Sequence, residues 1–344
     1  MVSMDETIER TILRRTKDSK SKTNPSSSIS PRKEARATVI DVRDYIFSVA
    51  FLADGKHIVS ADEKRVRRWR MEDGEEVGTP MEVGGHVWAV TASPDGKWIV
   101  SGSIDGWLVV WNAETHKKVT EFRDGNSDVR AVDVSPDGTR IASGTTNRTL
   151  NVWSLSHGKR LLGPLKHDMP VVAARFSPDG CFIATADKYD LDAHSVHVYD
   201  SQHGHLLVDV PIQFRSYYNN ALAWATSSKQ LFVLSSDANI HRLDVSTGTT
   251  LSKWPIHSSF DPACIAVTSD GMFIAASAGS SVSLWTTGTQ EQVGAVIEHA
   301  HDIRSMAISA NHDLVVGGDK MVSVCNFSDM LPPSLRNDVS AFTM

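Results

Sequence analysis

Apolar and polar positions along this chain alternate in short bursts, never in a sustained helical period. The stretch from Val87 to Asn112 reads VWAVTASPDGKWIVSGSIDGWLVVWN. It holds an apolar run, Pro94-Asp95-Gly96, a second apolar run, Asp105-Gly106, and a third run closing on Trp111. Short runs rich in Val, Ile, Trp and Ala, bounded by Pro, Asp and Gly, predict strands joined by tight turns. Each turn residue has its own task. Proline fixes φ, the aspartate side chain caps its own turn, and the glycine is free to take positive φ.

The pattern returns. SVAFLADGKHIVS (48–60), AVDVSPDGTRIAS (131–143) and AARFSPDGCFIAT (173–185) are close copies. ALAWATSSKQLFVLS (221–235), IAVTSDGMFIAAS (265–277) and SMAISANHDLVVG (305–317) are looser ones. Turn glycines Gly55, Gly96, Gly138 and Gly180 step by 41, 42 and 42 residues, and the third runs end at 69, 111, 153, 199, 243, 285 and 325. A fixed period of about 40–45 residues with several short strands in each predicts propeller blades. Segments between the copies, such as KKVTEF (117–122), KRLLGPL (159–165) and HLLVDV (205–210), supply a fourth, outer strand. The expected fold is an all-β, seven-bladed β-propeller of four-stranded antiparallel blades. The seventh copy lacks an outer strand of its own, because Pro332-Pro333 and a polar run follow it. RATVID (36–41) is predicted to fill that place, so that the N-terminal strand closes the ring and fewer edges are exposed.

Composition adds boundaries. The chain has 344 residues, 41% hydrophobic and 22% charged, enough for a single large all-β domain. Residues 1–37 hold nine Lys/Arg and five Asp/Glu, a net +4, so the remainder carries −10 of the total −6. Residues 1–34 are read as a disordered basic tail, 35–328 as the propeller and 329–344 as a C-terminal tail. Ser30-Pro31, followed by Arg32-Lys33, is read as part of a linker, with a proline-directed phosphorylation site as the alternative. An acidic body is a poor surface for nucleic acid. No run approaches the roughly 18 apolar residues of a membrane span, and the N-terminus lacks the apolar core of a secretory signal. The three cysteines are odd in number and far apart, which predicts no disulfide framework and a cytoplasmic or nuclear, reducing setting.

SPDGKWIVSGSIDGWLVVWN, with SPDGTRIASGTTNRTLNVWS and SPDGCFIATAD, resembles the WD-repeat family over roughly residues 37–327. The repeat style also resembles that of the propellers attached to fungal NACHT-type receptor proteins. The resemblance implies a buried His–Ser/Thr–Asp–Trp set in each blade. Ser101, Asp105 and Trp111 match its last three positions in blade two, where His86 falls too late to match the first. His167 and His299 match the first position in blades four and seven, and Trp69, Trp153 and Trp285 match the last elsewhere. Tyr199 and Cys325 stand where blades four and seven should have Trp, and no blade carries the full set. The fifth blade is the most degenerate.

The resemblance also implies a bulge at the start of each innermost strand, with side chains presented on one face of the ring. Matching positions place Tyr45, Phe47, His86 and Trp88 side by side, with Arg130 next, and Tyr218 and Arg304 at the periphery. Trp, Tyr and Arg dominate interface energetics, so these seven are the candidate protein-binding residues. Recurrent Ser and Asp are explained by the repeated turns, and no nucleophile elbow is present; the expectation is no enzyme and no cofactor. His194, His197, His203 and His205 form the densest histidine group and are read as surface residues and not as a metal site. The longer second turn of blade four (187–194) is a secondary contact surface. The chain is thus expected to be a monomeric scaffold or adaptor that binds a protein or peptide within a complex. Two alternatives are a hydrolase or lyase working at the central channel, and a solo ligand sensor akin to the fungal receptor propellers.

Overall fold

A computed structural model describes residues 37–189, 193–213, 221–256 and 262–331. Seven four-stranded antiparallel sheets follow one another, each blade running from an inner to an outer strand. Blade two, for example, is Val87–Ala92, Trp98–Ser103, Trp107–Asn112 and Lys118–Arg123. Blade seven is the exception in connectivity: its outer strand is Ala37–Asp41, paired antiparallel with Met321–Asn326 from Ala37 opposite Cys325 to Asp41 opposite Met321. The N-terminal strand therefore closes the ring, as the sequence led one to expect. Packing runs on to Leu331, which is 1% exposed, slightly beyond the sequence boundary at 328. The bulk of the two tails, at 1–36 and 332–344, lies outside the described residues.

The apolar core is divided by interface and not gathered in one place. Seven clusters are found among the described residues, each joining one blade to the next; the one that pairs Val315, Val322 and Val324 with Ile46, Val49 and Ile58 seals blade seven to blade one. This is why the middle strands lack a polar face: Phe273–Ala278 is buried at every position, because both faces of a blade are covered.

The turn signature works as its residues require. Gly55, Gly96, Gly138 and Gly180 have φ of 64°, 72°, 69° and 72°. The Asp95 carboxylate accepts the Ser93 hydroxyl at 2.6 Å and the Lys97 amide at 3.1 Å, and Asp179 does the same with Ser177 and Cys181 at 2.6 and 3.0 Å. The inner edges, which no strand covers, are satisfied by side chains of the preceding blade. Ser48 bonds the amide of Val90 at 3.1 Å, Asp133 takes the amide of Phe176 at 2.8 Å, and Ser305 takes that of Val49 at 3.0 Å. Blade five is complete in strand number, although its innermost strand is only Leu222–Trp224. Trp224 compensates by donating its indole N–H to the Arg175 carbonyl of blade four at 3.0 Å.

Candidate protein-binding site

The site begins with a packing constraint. Ile46, Val87, Val129, Val171 and Ile303, at the starts of innermost strands, are at most 1% exposed. They lie so close to the preceding blade that a Cβ on Gly102 would meet Val129 at 2.6 Å, one on Gly144 would meet Val171 at 2.6 Å, and one on Gly317 would meet Ile46 at 2.7 Å. With that residue pinned inward, the chain slips register at once. The irregularities between Val87/Ala89, Val129/Ala131 and Ile303/Ser305 leave Trp88, Arg130 and Arg304 as the extra residues. A bulge re-aims the side chain it carries. In this way four adjacent blades present their variable residues on one rim, opposite the Pro-Asp-Gly turns.

On that rim six of the seven sequence candidates come together. Phe47 meets Trp88 edge-on at 4.9 Å between centroids and His86 at 6.4 Å, while His86 stacks on Trp88 at 5.9 Å. The Arg130 guanidinium lies 3.6 Å from the Trp88 ring centroid and is held by Asp128 at 3.1 Å. At the other end Arg304 sits 4.6 Å from the Tyr45 ring and 5.6 Å from Phe47, and Asp319 holds it at 2.8 Å. The result is an unbroken array from Asp319 through Arg304, Tyr45, Phe47, His86, Trp88 and Arg130 to Asp128. All six candidates are half-buried. Each cation–aromatic contact contributes about 0.5–1 kcal/mol at such exposure and holds both groups in one orientation. Tyr218 lies outside the described residues.

Two neighbours of the array were not among the sequence candidates: Lys320 lies 5.6 Å from the Tyr45 ring, and Asp319 anchors Arg304. Trp107, 36% exposed and also outside the candidates, is covered by Arg123 at 4.9 Å. All lie at or beside second turns, where the copies differ. On the opposite rim a shallow cleft between blades one and two is lined by Asp54, Asp95 and Glu114, with Arg68 tied to the Ala113 carbonyl at 3.0 Å.

The buried polar sets differ from blade to blade. The indoles of Trp69, Trp111 and Trp153 donate to Ser60, Ser101 and Ser143 at 2.8, 3.0 and 2.8 Å. Asp105 does not join Ser101 and Trp111: it is exposed at the turn tip with φ 61°. In blade three the set is completed by Asp124, which accepts the Ser143 hydroxyl and the Asn151 amide, the latter at 2.7 Å. Burial pushes the Asp124 carboxyl up, against those two bonds and the charge of Arg160. Blade one buries Asp62 with Arg67 at 3.3 Å. His167 reaches Tyr199 at 3.3 Å in blade four; His299 bonds the His301 carbonyl at 2.9 Å in blade seven. The Trp285 ring is buried in the interface between blades five and six.

No helix among the described residues is long and apolar enough to cross a membrane. A search of curated proteins returns no match to the chain. Comparison with protein families matches residues 45–327 to the IFT122 first beta-propeller. The match spans all seven blades. The chain is a WD-repeat, seven-bladed propeller and belongs to the IFT122 first beta-propeller family.

Proposed function

We propose that this propeller is a non-enzymatic interaction platform that takes a peptide or protein segment across the rim where the innermost strands begin. The observation that carries the reading is the continuous aromatic–arginine array from Arg304 to Arg130, built at the positions where the repeats diverge. Half-buried aromatic and arginine side chains, already oriented, offer large contact area at small ordering cost. Membership of a WD-type propeller family fits a protein-interaction scaffold.

Catalysis at the central channel has less support. The inner-edge groups Ser48, Asp133 and Ser305 are engaged on the backbone of the next blade. Burial pushes the Cys264 thiol up to about 12 and the Cys325 thiol up to about 11, far from a nucleophilic thiolate at neutral pH.

The test is a displayed peptide library selected on the immobilised full chain, with affinities of the selected peptides then measured by calorimetry. Trp88→Ala/Arg130→Ala is expected to weaken binding at least tenfold, about 1.4 kcal/mol, while leaving the circular dichroism spectrum unchanged. Equal affinity for the variant would place the site elsewhere.

A further inference from the structure

Blade four carries a polar cluster that the binding rim does not use. His167, at the end of the connection from blade three, and Asp187 and His197, on the second and third strands of blade four, each place one donor atom within 4.8 Å of the other two. The Asp187 Oδ2 is 3.5 Å from His167 Nδ1 and 3.9 Å from His197 Nδ1. Those separations are long for hydrogen bonds, and neither Nδ1 has a hydrogen-bond partner although both are buried. They are close to the spacing of ligands around one ion: donors at ~2.0–2.1 Å in a tetrahedron stand about 3.3–3.4 Å apart. The side chains of His167, Asp187 and His197 are 0%, 3% and 13% exposed, so bulk water does not account for the unpaired nitrogens.

The surroundings are those of a built site. On the outer side, His167 Nε2 is hydrogen-bonded to the Tyr199 hydroxyl at 3.3 Å, and His197 Nε2 faces the Asp209 carboxylate at 3.5 Å, an ionic contact longer than a hydrogen bond. Such outer partners fix the ring and leave the inner nitrogen free to ligate. Asp187 is itself held by the Ser195 amide at 2.8 Å on its other oxygen. Thr185, directly across the strands from His197, has a buried hydroxyl with no hydrogen-bond partner.

We propose that His167 Nδ1, His197 Nδ1 and Asp187 Oδ2 bind one zinc-class divalent ion. Two imidazoles and one carboxylate select zinc over calcium or magnesium, which take all-oxygen sites. Three protein donors leave one tetrahedral position, which a single bound water would fill. The ion would tie the connection from blade three to the middle of blade four, where Tyr199 replaces the usual tryptophan.

The experiment uses the full chain, stripped with EDTA and titrated with zinc chloride against a chromophoric chelator, and with cobalt chloride for its absorption spectrum. Wild type is expected to take about one ion at micromolar or tighter affinity and to give the intense visible bands of tetrahedral cobalt. Asp209→Asn, at a half-exposed outer position that should not disturb folding, is expected to weaken binding about tenfold, and His197→Ala to abolish it. His203→Ala/His205→Ala, which removes the exposed pair beside Asp200, should leave binding intact. The proposal is overturned if wild type takes no zinc in this range, if His197→Ala retains it, or if binding follows His203 and His205 instead. Should His197→Ala fail to fold, the wild-type melt decides: zinc must raise Tm and EDTA remove the rise, and an unchanged melt counts against the site.

Discussion

The two rims of this ring are built from the same repeats and differ in what they repeat. On the turn rim, Asp54, Asp95, Asp137, Asp179 and Asp270 cap equivalent turns, each accepting an amide two residues on. On the opposite rim, register shifts set out Trp88, Arg130, Val172 and Arg304, and Phe47 holds the equivalent place in blade one, each following a buried aliphatic residue. The backbone device is shared, a pinned aliphatic followed by a bulge, while the side chain it presents is free to vary. Repetition on one rim serves the turns, and variation on the other is what the proposed recognition of a partner would use.

Substitutions should separate the rims accordingly. The largest effect is expected from closure: deleting residues 35–42 removes the outer strand of blade seven and part of its seal to blade one, and Tm should fall by more than about 10 °C. Deleting 1–30 should leave Tm unchanged. Equal shifts would contradict the closed ring. Next is Gly144→Val, whose Cβ would stand 2.6 Å from Val171 of blade four; overpacking there should cost about 1–3 kcal/mol by denaturant melt. Trp111→Phe, which removes the indole bond to Ser101 and leaves that buried hydroxyl unpaired, should cost about 1–2 kcal/mol.

The smallest effect is expected from pH. The Ser93 hydroxyl holds Asp95 below the usual carboxylate range against mild burial; in Asp137 and Asp179 burial pushes up, but the serine hydroxyls and turn amides outweigh it. Carboxyls depressed in the folded state add stability that is complete above the unfolded value of about 3.9 and fades as pH falls through the folded one. Asp124 has the opposite sign, because burial raises it and makes its ionisation unfavourable to folding above that value. Thermal melts from pH 6 to 3 should therefore decline chiefly below about 4, with Asp137→Asn flattening the decline. A Tm independent of pH over that range would remove the turn carboxylates from the account.

Much of the fold was legible because its signals are local. Pro-Asp-Gly turns, the spacing of strand-ending aromatics and the surplus strand at RATVID need only neighbours in sequence, and each has its place in the structure. The rim residues were also within reach, since the family's bulge names the positions; which rings and guanidinium groups touch was not, because Arg130 on Trp88 and Arg304 on Tyr45 are contacts between blades. Asp105 shows the limit of spacing alone. It has the right interval from Ser101 and Trp111, but the turn carries it out at positive φ, and Asp124 of blade three has no counterpart in the expected set. Histidines were likewise grouped by closeness in sequence, 194 to 205, whereas the cluster in space takes His197 with His167, thirty residues upstream and across a blade boundary.

A paired alanine scan separates a rim proposed to recognise a partner from a rim that stabilises the ring. Tyr45, Phe47, His86, Trp88, Arg130 and Arg304 on one side, and Asp54, Asp95, Asp137 and Asp179 on the other, would each be measured twice, for Tm and for affinity to a selected peptide. The first group is expected to lose affinity with little change in Tm, and the second to lose Tm with affinity retained. Affinity loss concentrated in the turn aspartates, with the aromatic–arginine array silent, would contradict that division.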